Sequence, residues 1–224
     1  MSAVQVPKHT IRPANVPEPI PVVFVVDDDI SVRESLELLI HTAGWQPETY
    51  ASAQAFLARP RVSAPCCLVL DAILPGLNGL DLQKSFGGDR ADMPIIFISG
   101  YGDVPTTVQA MKAGAVEFLT KPIDADALLS AIGQAIERSR ITRGHEEEMR
   151  ILRDCYASLT HREREVMALV VTGLLNKQVG SELGISEITV KTHRGQMMRK
   201  MKAGSLPHLV KMAEILRLAP SAKG

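Results

Sequence analysis

Three cysteines in 224 residues are too few, and too badly placed, for a disulfide framework or a cysteine metal site. Cys66 and Cys67 are adjacent in an apolar run, Cys155 is remote, and no C-x-x-C or Cys/His cluster exists. They read as small buried hydrophobes of an intracellular chain. Long apolar runs are missing too. The longest nearly uncharged one, MALVVTGLL at 167–175, is far too short to cross a bilayer, and the N-terminus lacks the apolar block of a secretory signal. A cytoplasmic location with no membrane partner is expected. Net charge is also absent, with 25 Lys+Arg against 25 Asp+Glu. That balance hides a split: residues 1–149 carry 12 basic against 19 acidic residues, while 150–224 carry 13 against 6, a net of +7. An acidic body joined to a basic tail favours a nucleic-acid partner for the tail.

What is present is a chain of ordinary globular composition with a clear internal order. Residues 1–21 hold five prolines (Pro7, Pro13, Pro17, Pro19, Pro21) and no apolar period, which predicts an extended arm. From 22 onward, β-branched runs at 22–26, 47–50, 66–70, 94–99 and 115–119 alternate with amphipathic stretches. These are Val32 to Ala43, Ala53 to Ala58, a weak 79–86, Val104 to Ala113, and Asp124 onward. Continuous apolar strands separated by helices indicate an α/β, doubly wound domain whose parallel sheet is covered on both faces. The helical pattern from Asp124 fades through RSRITRGHEEEMR and resumes at Met149, Leu152, Tyr156 and Leu159. Gly144 and three consecutive glutamates are compatible with fraying or bending, and two heptads are too few to assert a coiled coil.

The tail carries only helical signals. Thr160 and Glu163 have capping-box spacing before Val166, Leu169 and Val170. Asn176 is the expected cap of a second helix ended by Gly184, Ser186 of a third with Val190, Met197 and Met201 inward, and a fourth runs from about Leu206 to Leu218.

The stretch VVFVVDDDIS, 22–31, crowds three acids behind a strand. A helix cap needs only one. Ligands of open parallel sheets bind at the carboxyl ends of the strands. That edge receives Asp27 and Asp28 after the first strand, Asp71 after the third, Ser99 after the fourth and Lys121 after the fifth. Three converging carboxylates repel unless a cation joins them, and a hard, oxygen-seeking ion such as Mg2+ resolves the repulsion. With Asp71 as nucleophile, Lys121 and the ion to neutralise charge, and the Ser99 hydroxyl to hydrogen-bond a phosphoryl oxygen, this is the equipment for accepting a phosphoryl group.

VVDDD, LVLDAILPGLNGLDL, PIIFISGYGD and MKAGAVEFLTKPID resemble, in order, the motifs of the receiver domain of bacterial two-component response regulators. The resemblance covers 22–137. It implies a flavodoxin-like five-stranded parallel sheet of order 2-1-3-4-5 and a phosphoacceptor at Asp71. It also implies metal-binding acids at Asp27 and Asp28 beside Asp71, a switch pair at Ser99 and Phe118, a conserved lysine at Lys121 and a cis bond at Lys121–Pro122. Leu74 replaces a frequent Met, and Phe118 lacks the hydroxyl of relatives with Tyr. Phosphohydrolases with an aspartyl nucleophile need a second acid two residues on, and here that residue is Ile73. The chain is therefore expected to accept and lose its own phosphoryl group without turning over a separate substrate.

LTHREREV, GLLNKQ, LGIS and TVKTH resemble the LuxR-type helix-turn-helix of NarL/FixJ response regulators, over 159–224. Between the two domains lies a helical linker at 138–158. If Val190, Met197 and Met201 face the core, Lys191, Thr192 and Gly195 face a DNA groove. Lys191 is then placed to donate to guanine, and Thr192 to reach a base or a thymine methyl. Lys177, Arg199, Lys200 and Lys202 are expected at phosphates. Gly195 departs from relatives with a long polar side chain there, and His193 reads as a partly buried histidine. The resemblance implies a histidine kinase, double-stranded DNA and, on activation, a second copy of the chain as partners. The alternatives are a receiver serving as a constitutive interaction surface and a tail binding protein rather than DNA.

Overall fold

A computed structural model describes residues 19–75, 82, 93–100 and 104–218. The elements run β1 (Val22–Val26), α1 (Ile30–Thr42), β2 (Gln46–Tyr50), α2 (Ala53–Leu57), β3 (Cys66–Asp71), β4 (Ile95–Ser99), α3 (Val104–Lys112), β5 (Glu117–Thr120), α4 (Ala125–Ala157), α5 (His161–Val170), α6 (Asn176–Leu183), α7 (Glu187–Lys200) and α8 (Leu206–Ile215). The chain divides into two compact units between Arg143 and Gly144, a point inside α4. Most of the proline-rich 1–21 and of the weak helical stretch 79–86 lies outside the described residues.

In the first unit all strand pairs are parallel, in the order β2-β1-β3-β4-β5. The three central strands are buried at every residue, which is why their sequences are apolar without alternation. Alternate residues still feed opposite cores. Val22, Phe24, Val26, Leu68, Leu70 and Phe97 pack with Ala53 and Phe56 of α2, whereas Val23, Val25, Val69, Ile96 and Ile98 pack with Leu36 and Ile40 of α1 and Leu128 and Ile132 of α4. The edge strand β2 accommodates Pro47, whose missing N–H costs nothing on an unpaired side. The helix α1 starts at Ile30, two residues before the expected Val32, because Asp29 caps it by accepting from Ser31 N at 2.8 Å.

The apolar pattern weakens through RSRITRGHEEEMR, but the backbone does not: the 33 residues of α4 form one continuous helix through Gly144 and the three glutamates. Its middle is held from the side. Buried Ser139 Oγ accepts from Cys66 N at 3.1 Å, and the Arg143 guanidinium donates to Ser63 O at 2.8 Å. Beyond Gly144, Arg150 pairs with Glu147 and Asp154 at helical spacing, which supports the exposed turns. Among the described residues no helix is long and apolar enough to cross a membrane.

The second unit has its own core of Leu159, Val166, Met167, Val170, Val179, Val190, Met197, Met201, Leu209 and Ala213, with Cys155 and Tyr156 of α4 against it. The capping box closes α5: Glu163 N donates to Thr160 Oγ1 and Thr160 N to Glu163 Oε2, at 3.3 and 2.7 Å. Ser186 caps α7 and Ser205 caps α8. One expected cap is corrected. Leu175, not Asn176, precedes α6, and Gln178 Oε1 accepts from its N–H at 2.8 Å. That frees the Asn176 Oδ1 to accept from Arg194 of α7 at 2.9 Å.

Candidate functional site

The turn after β1, the end of β3 and the end of β5 bring four expected residues together. Lys121 Nζ lies 2.7 Å from Asp27 Oδ2 and 2.6 Å from Asp71 Oδ2, so one ammonium joins two carboxylates from different strands. The remaining oxygens are held by the backbone: Asp27 Oδ1 accepts from Asp29 N at 2.9 Å, and Asp71 Oδ1 from Ile73 N at 2.8 Å. Asp27 is wholly buried and Asp71 is 6% exposed, while Asp28 stands at the surface. Oxygens of these three acids all lie within 4.8 Å of one another. An all-oxygen set with one side open to water fits a hard divalent ion and does not suit a thiol-seeking one. Asp27, Asp28 and Asp71 are thus the residues able to hold Mg2+.

The electrostatics follow from burial. Asp27 is pushed above the usual carboxylate range by loss of solvent, and the hydrogen bonds from Lys121 and from Asp29 N only partly oppose this. Burial also works against the charge of Lys121, but its bonds to Asp27 and Asp71 outweigh it and raise its pKa. The pocket therefore keeps its ammonium across the physiological range.

Ser99, 1% exposed, ends β4, and its carbonyl accepts from Lys121 N at 2.8 Å. Phe118 pairs in register with Phe97 and stacks on its ring, centroids 6.3 Å apart and planes at 27°. The Lys121–Pro122 bond is cis. Ile73, at the position where a hydrolase needs its second acid, is 59% exposed and brings no titratable group. One contributor escaped the sequence reading. Arg33 of α1 donates from Nη1 to the carbonyls of Asp27 and Asp28, at 2.7 and 3.0 Å, and so ties down the turn that carries both acids.

In the second unit Val190, Met197 and Met201 are fully buried, and Lys191, Thr192, Gly195 and Arg199 of α7 are exposed, as are Lys177 and Lys202. Lys200 is placed otherwise than a free phosphate contact. Its Nζ is 2.6 Å from the Oε2 of Glu163, which is 1% exposed. His193 is half-buried, and its Nδ1 has no hydrogen-bond partner among the described residues.

Comparison with known proteins adds to this geometry. Residues 23–133 match the family described as response regulator receiver domain, and 157–213 match the one described as bacterial regulatory proteins, luxR family. Nodulation protein W of Bradyrhizobium diazoefficiens is 47% identical over 198 residues, covering 88% of this chain and 87% of that protein. The transcriptional regulatory protein FixJ of Rhizobium meliloti is 40% identical, over 89% of this chain and 98% of its own. The solved structure of the response regulator StyR is 46% identical, with a TM-score of 0.81 over 88% of this chain and all of that one. The five-stranded parallel sheet, its acidic edge and the helix-turn-helix that follows agree with these likenesses, and the chain belongs to the NarL/FixJ family of two-component response regulators, transcription regulators that join a receiver domain to a LuxR-type DNA-binding domain.

Proposed function

We propose that this regulator is gated by phosphorylation of Asp71. The observation that carries the reading is the single ammonium of Lys121 spanning Asp27 and Asp71 at the carboxyl edge of the sheet. A carboxylate oxygen of Asp71 attacks the phosphorus of a phosphohistidine on a partner kinase; the P–N bond breaks and an acyl phosphate forms. Bound by Asp27, Asp28 and Asp71, Mg2+ supplies positive charge to the transferring oxygens. Lys121 neutralises the same oxygens, and the Ser99 hydroxyl, drawn to the new phosphoryl group, takes Phe118 with it. The face that responds is built from α3, β5 and the start of α4. Water attack on the acyl phosphate then resets the protein, which is self-chemistry rather than turnover of a substrate.

In this reading 22–137 form the receiver, 138–158 the linker and 159–224 the DNA-binding domain. Phosphorylation promotes a homodimer that sets two helix-turn-helix units on half-sites about one DNA turn apart. The second helix of the turn, α7, enters the major groove with Lys191, Thr192 and Gly195, while Lys177 and Arg199 meet phosphates.

The test is intact mass after treatment with Mg2+ and a small-molecule phosphodonor, for the full chain and Asp71→Asn, with oligomeric state and DNA affinity read in the same samples. One Mg2+-dependent phosphoryl group, absent from the variant and accompanied by dimerisation and tighter DNA binding, is expected. Phosphorylation that changes neither assembly nor DNA affinity, or none at all, makes the receiver a constitutive interaction surface instead.

A further inference from the structure

The face of α7 expected to read bases has less free hydrogen-bonding capacity than its residues suggest. Lys191 Nζ lies 3.0 Å from Glu187 Oε1, one turn back. The Thr192 hydroxyl donates to the Ile188 carbonyl at 3.1 Å, so Thr192 can offer a partner its methyl or an acceptor oxygen but no proton. Gly195 has no side chain, and a Cβ built there meets nothing within 4 Å. Both polar side chains are thus engaged within the helix.

What stays bare in the first turn of this face is apolar. Ile188 is 77% exposed, more than any other large hydrophobic side chain among the described residues. It lies in the first turn of α7, three, four and seven positions before Lys191, Thr192 and Gly195, so all four share one helix face. Val190 and Met197, on the other side, are fully buried. A single exposed isoleucine is ordinary on a surface, but this one stands where the second helix of a helix-turn-helix meets base edges. An aliphatic side chain has one distinctive target in the major groove, the 5-methyl group of thymine.

We propose that Ile188 is a specificity-determining residue that packs against the 5-methyl of a thymine in each half-site, with the Thr192 methyl extending the same apolar strip. The proposal rests on the reading of α7 as the groove helix given above. Recognition at this turn is then by shape and methyl contact, and Lys191 contributes mainly charge until it leaves Glu187.

The experiment uses the full chain, with and without Mg2+ and phosphodonor, so that a failure of gating is not mistaken for a failure of recognition. Duplexes are first selected from a randomised pool. Each thymine of the selected site is then replaced singly by uracil, which removes only the methyl, and affinities are measured for wild type and Ile188→Ser. Ile188 is too exposed for the variant to lose folding, and an unchanged thermal midpoint checks this. At one thymine per half-site, uracil is expected to weaken wild type about fourfold, the ratio for one methylene-sized group buried, and to leave Ile188→Ser unaffected. Equal losses in both proteins, or no loss at any thymine, overturn the assignment. Lys191→Ala and Arg199→Ala separate the two levels: if they leave DNA affinity intact, the α7 interface is wrong and Ile188 falls with it, whereas if they weaken binding without coupling at any thymine, only Ile188 falls.

Discussion

Lys200 and Glu163 stand 37 positions apart, yet the ammonium of one lies 2.6 Å from the carboxylate of the other. The same Glu163 oxygen accepts from Thr160 N, so one buried carboxylate closes the capping box of α5 and anchors the last turn of α7.

Breaking this pair should loosen the second unit. Glu163→Gln leaves Lys200 without its counter-charge and is expected to cost about 2 kcal/mol, between the values for surface and buried pairs since Lys200 remains partly exposed. That corresponds to a fall of roughly 10 °C in the melting of a unit this size. Burial pushes the Glu163 carboxyl up, but the bonds from Lys200 and Thr160 outweigh it and hold it below the usual range. A depressed folded pKa contributes stability above the unfolded value that is lost as pH falls through the folded one. The gap between wild type and Glu163→Gln should therefore be full at pH 7 and shrink on acidification below the ordinary carboxylate pKa. Thermal melts across that range decide it, and a gap independent of pH would count against the ion pair.

Gly184 ends α6 with φ 66° and ψ 33°, and its N–H reaches the Gly180 carbonyl. A Cβ there would meet no atom within 4 Å, so the cost of Gly184→Ala is conformational alone. About 1 kcal/mol, or roughly 5 °C, should be lost from the second unit's melt. No loss would mean that the turn relaxes out of the left-handed region.

The legible parts of the molecule were those specified by local pattern or by topology. Runs such as VVFVV and CCLVL announce buried parallel strands, and once strands are placed, Asp27, Asp71 and Lys121 must meet at one edge. The turns at Gly184 and Ser186 were visible for the same local reason. Arg33 was not, because an arginine early in an amphipathic helix looks like any exposed side chain until the turn before it is seen to fold back. Nor was the Glu163 pairing with Lys200, a contact across 37 residues with no sequence period. Asn176 misled because its type suits a cap, whereas Gln178 serves the Leu175 N–H and Arg194 claims the Asn176 oxygen. The contacts that hold the side of α4, Arg143 on Ser63 and Ser139 on Cys66, also join residues far apart in sequence.

Arg33 positions the acids proposed to bind the metal, since its guanidinium holds the carbonyls of both Asp27 and Asp28. Arg33→Met should weaken Mg2+ binding about tenfold, as loss of a group that orients ligands does, while shifting the thermal midpoint by only a few degrees. Arg33→Lys, which keeps a donor and a charge, should recover part of the affinity. Calorimetric titration with Mg2+ separates this from a general loss of stability: a variant that melts much earlier yet binds Mg2+ as wild type does refutes the positioning role.

Lys121 sits on two of the three carboxylates proposed to hold the metal. With its ammonium 2.7 and 2.6 Å from Asp27 Oδ2 and Asp71 Oδ2, it already offsets part of their charge. Mg2+ therefore gains less from binding than it would between bare acids. Lys121→Met should destabilise the metal-free receiver and tighten Mg2+ binding by about tenfold, well below the full Coulomb value because the site opens to water at Asp28. The pH dependence follows from Asp27, already raised by burial and restrained only by partners such as Lys121. Removing Lys121 raises it further, and a proton competes with the ion below that pKa. On acidification from pH 8, Mg2+ affinity should thus fall at a higher pH in Lys121→Met than in wild type. The slower gain of a phosphoryl group expected of the variant must then reflect the lost ammonium and not lost metal. Weaker Mg2+ binding by Lys121→Met at pH 8 would show that Lys121 shapes the site instead of competing for it.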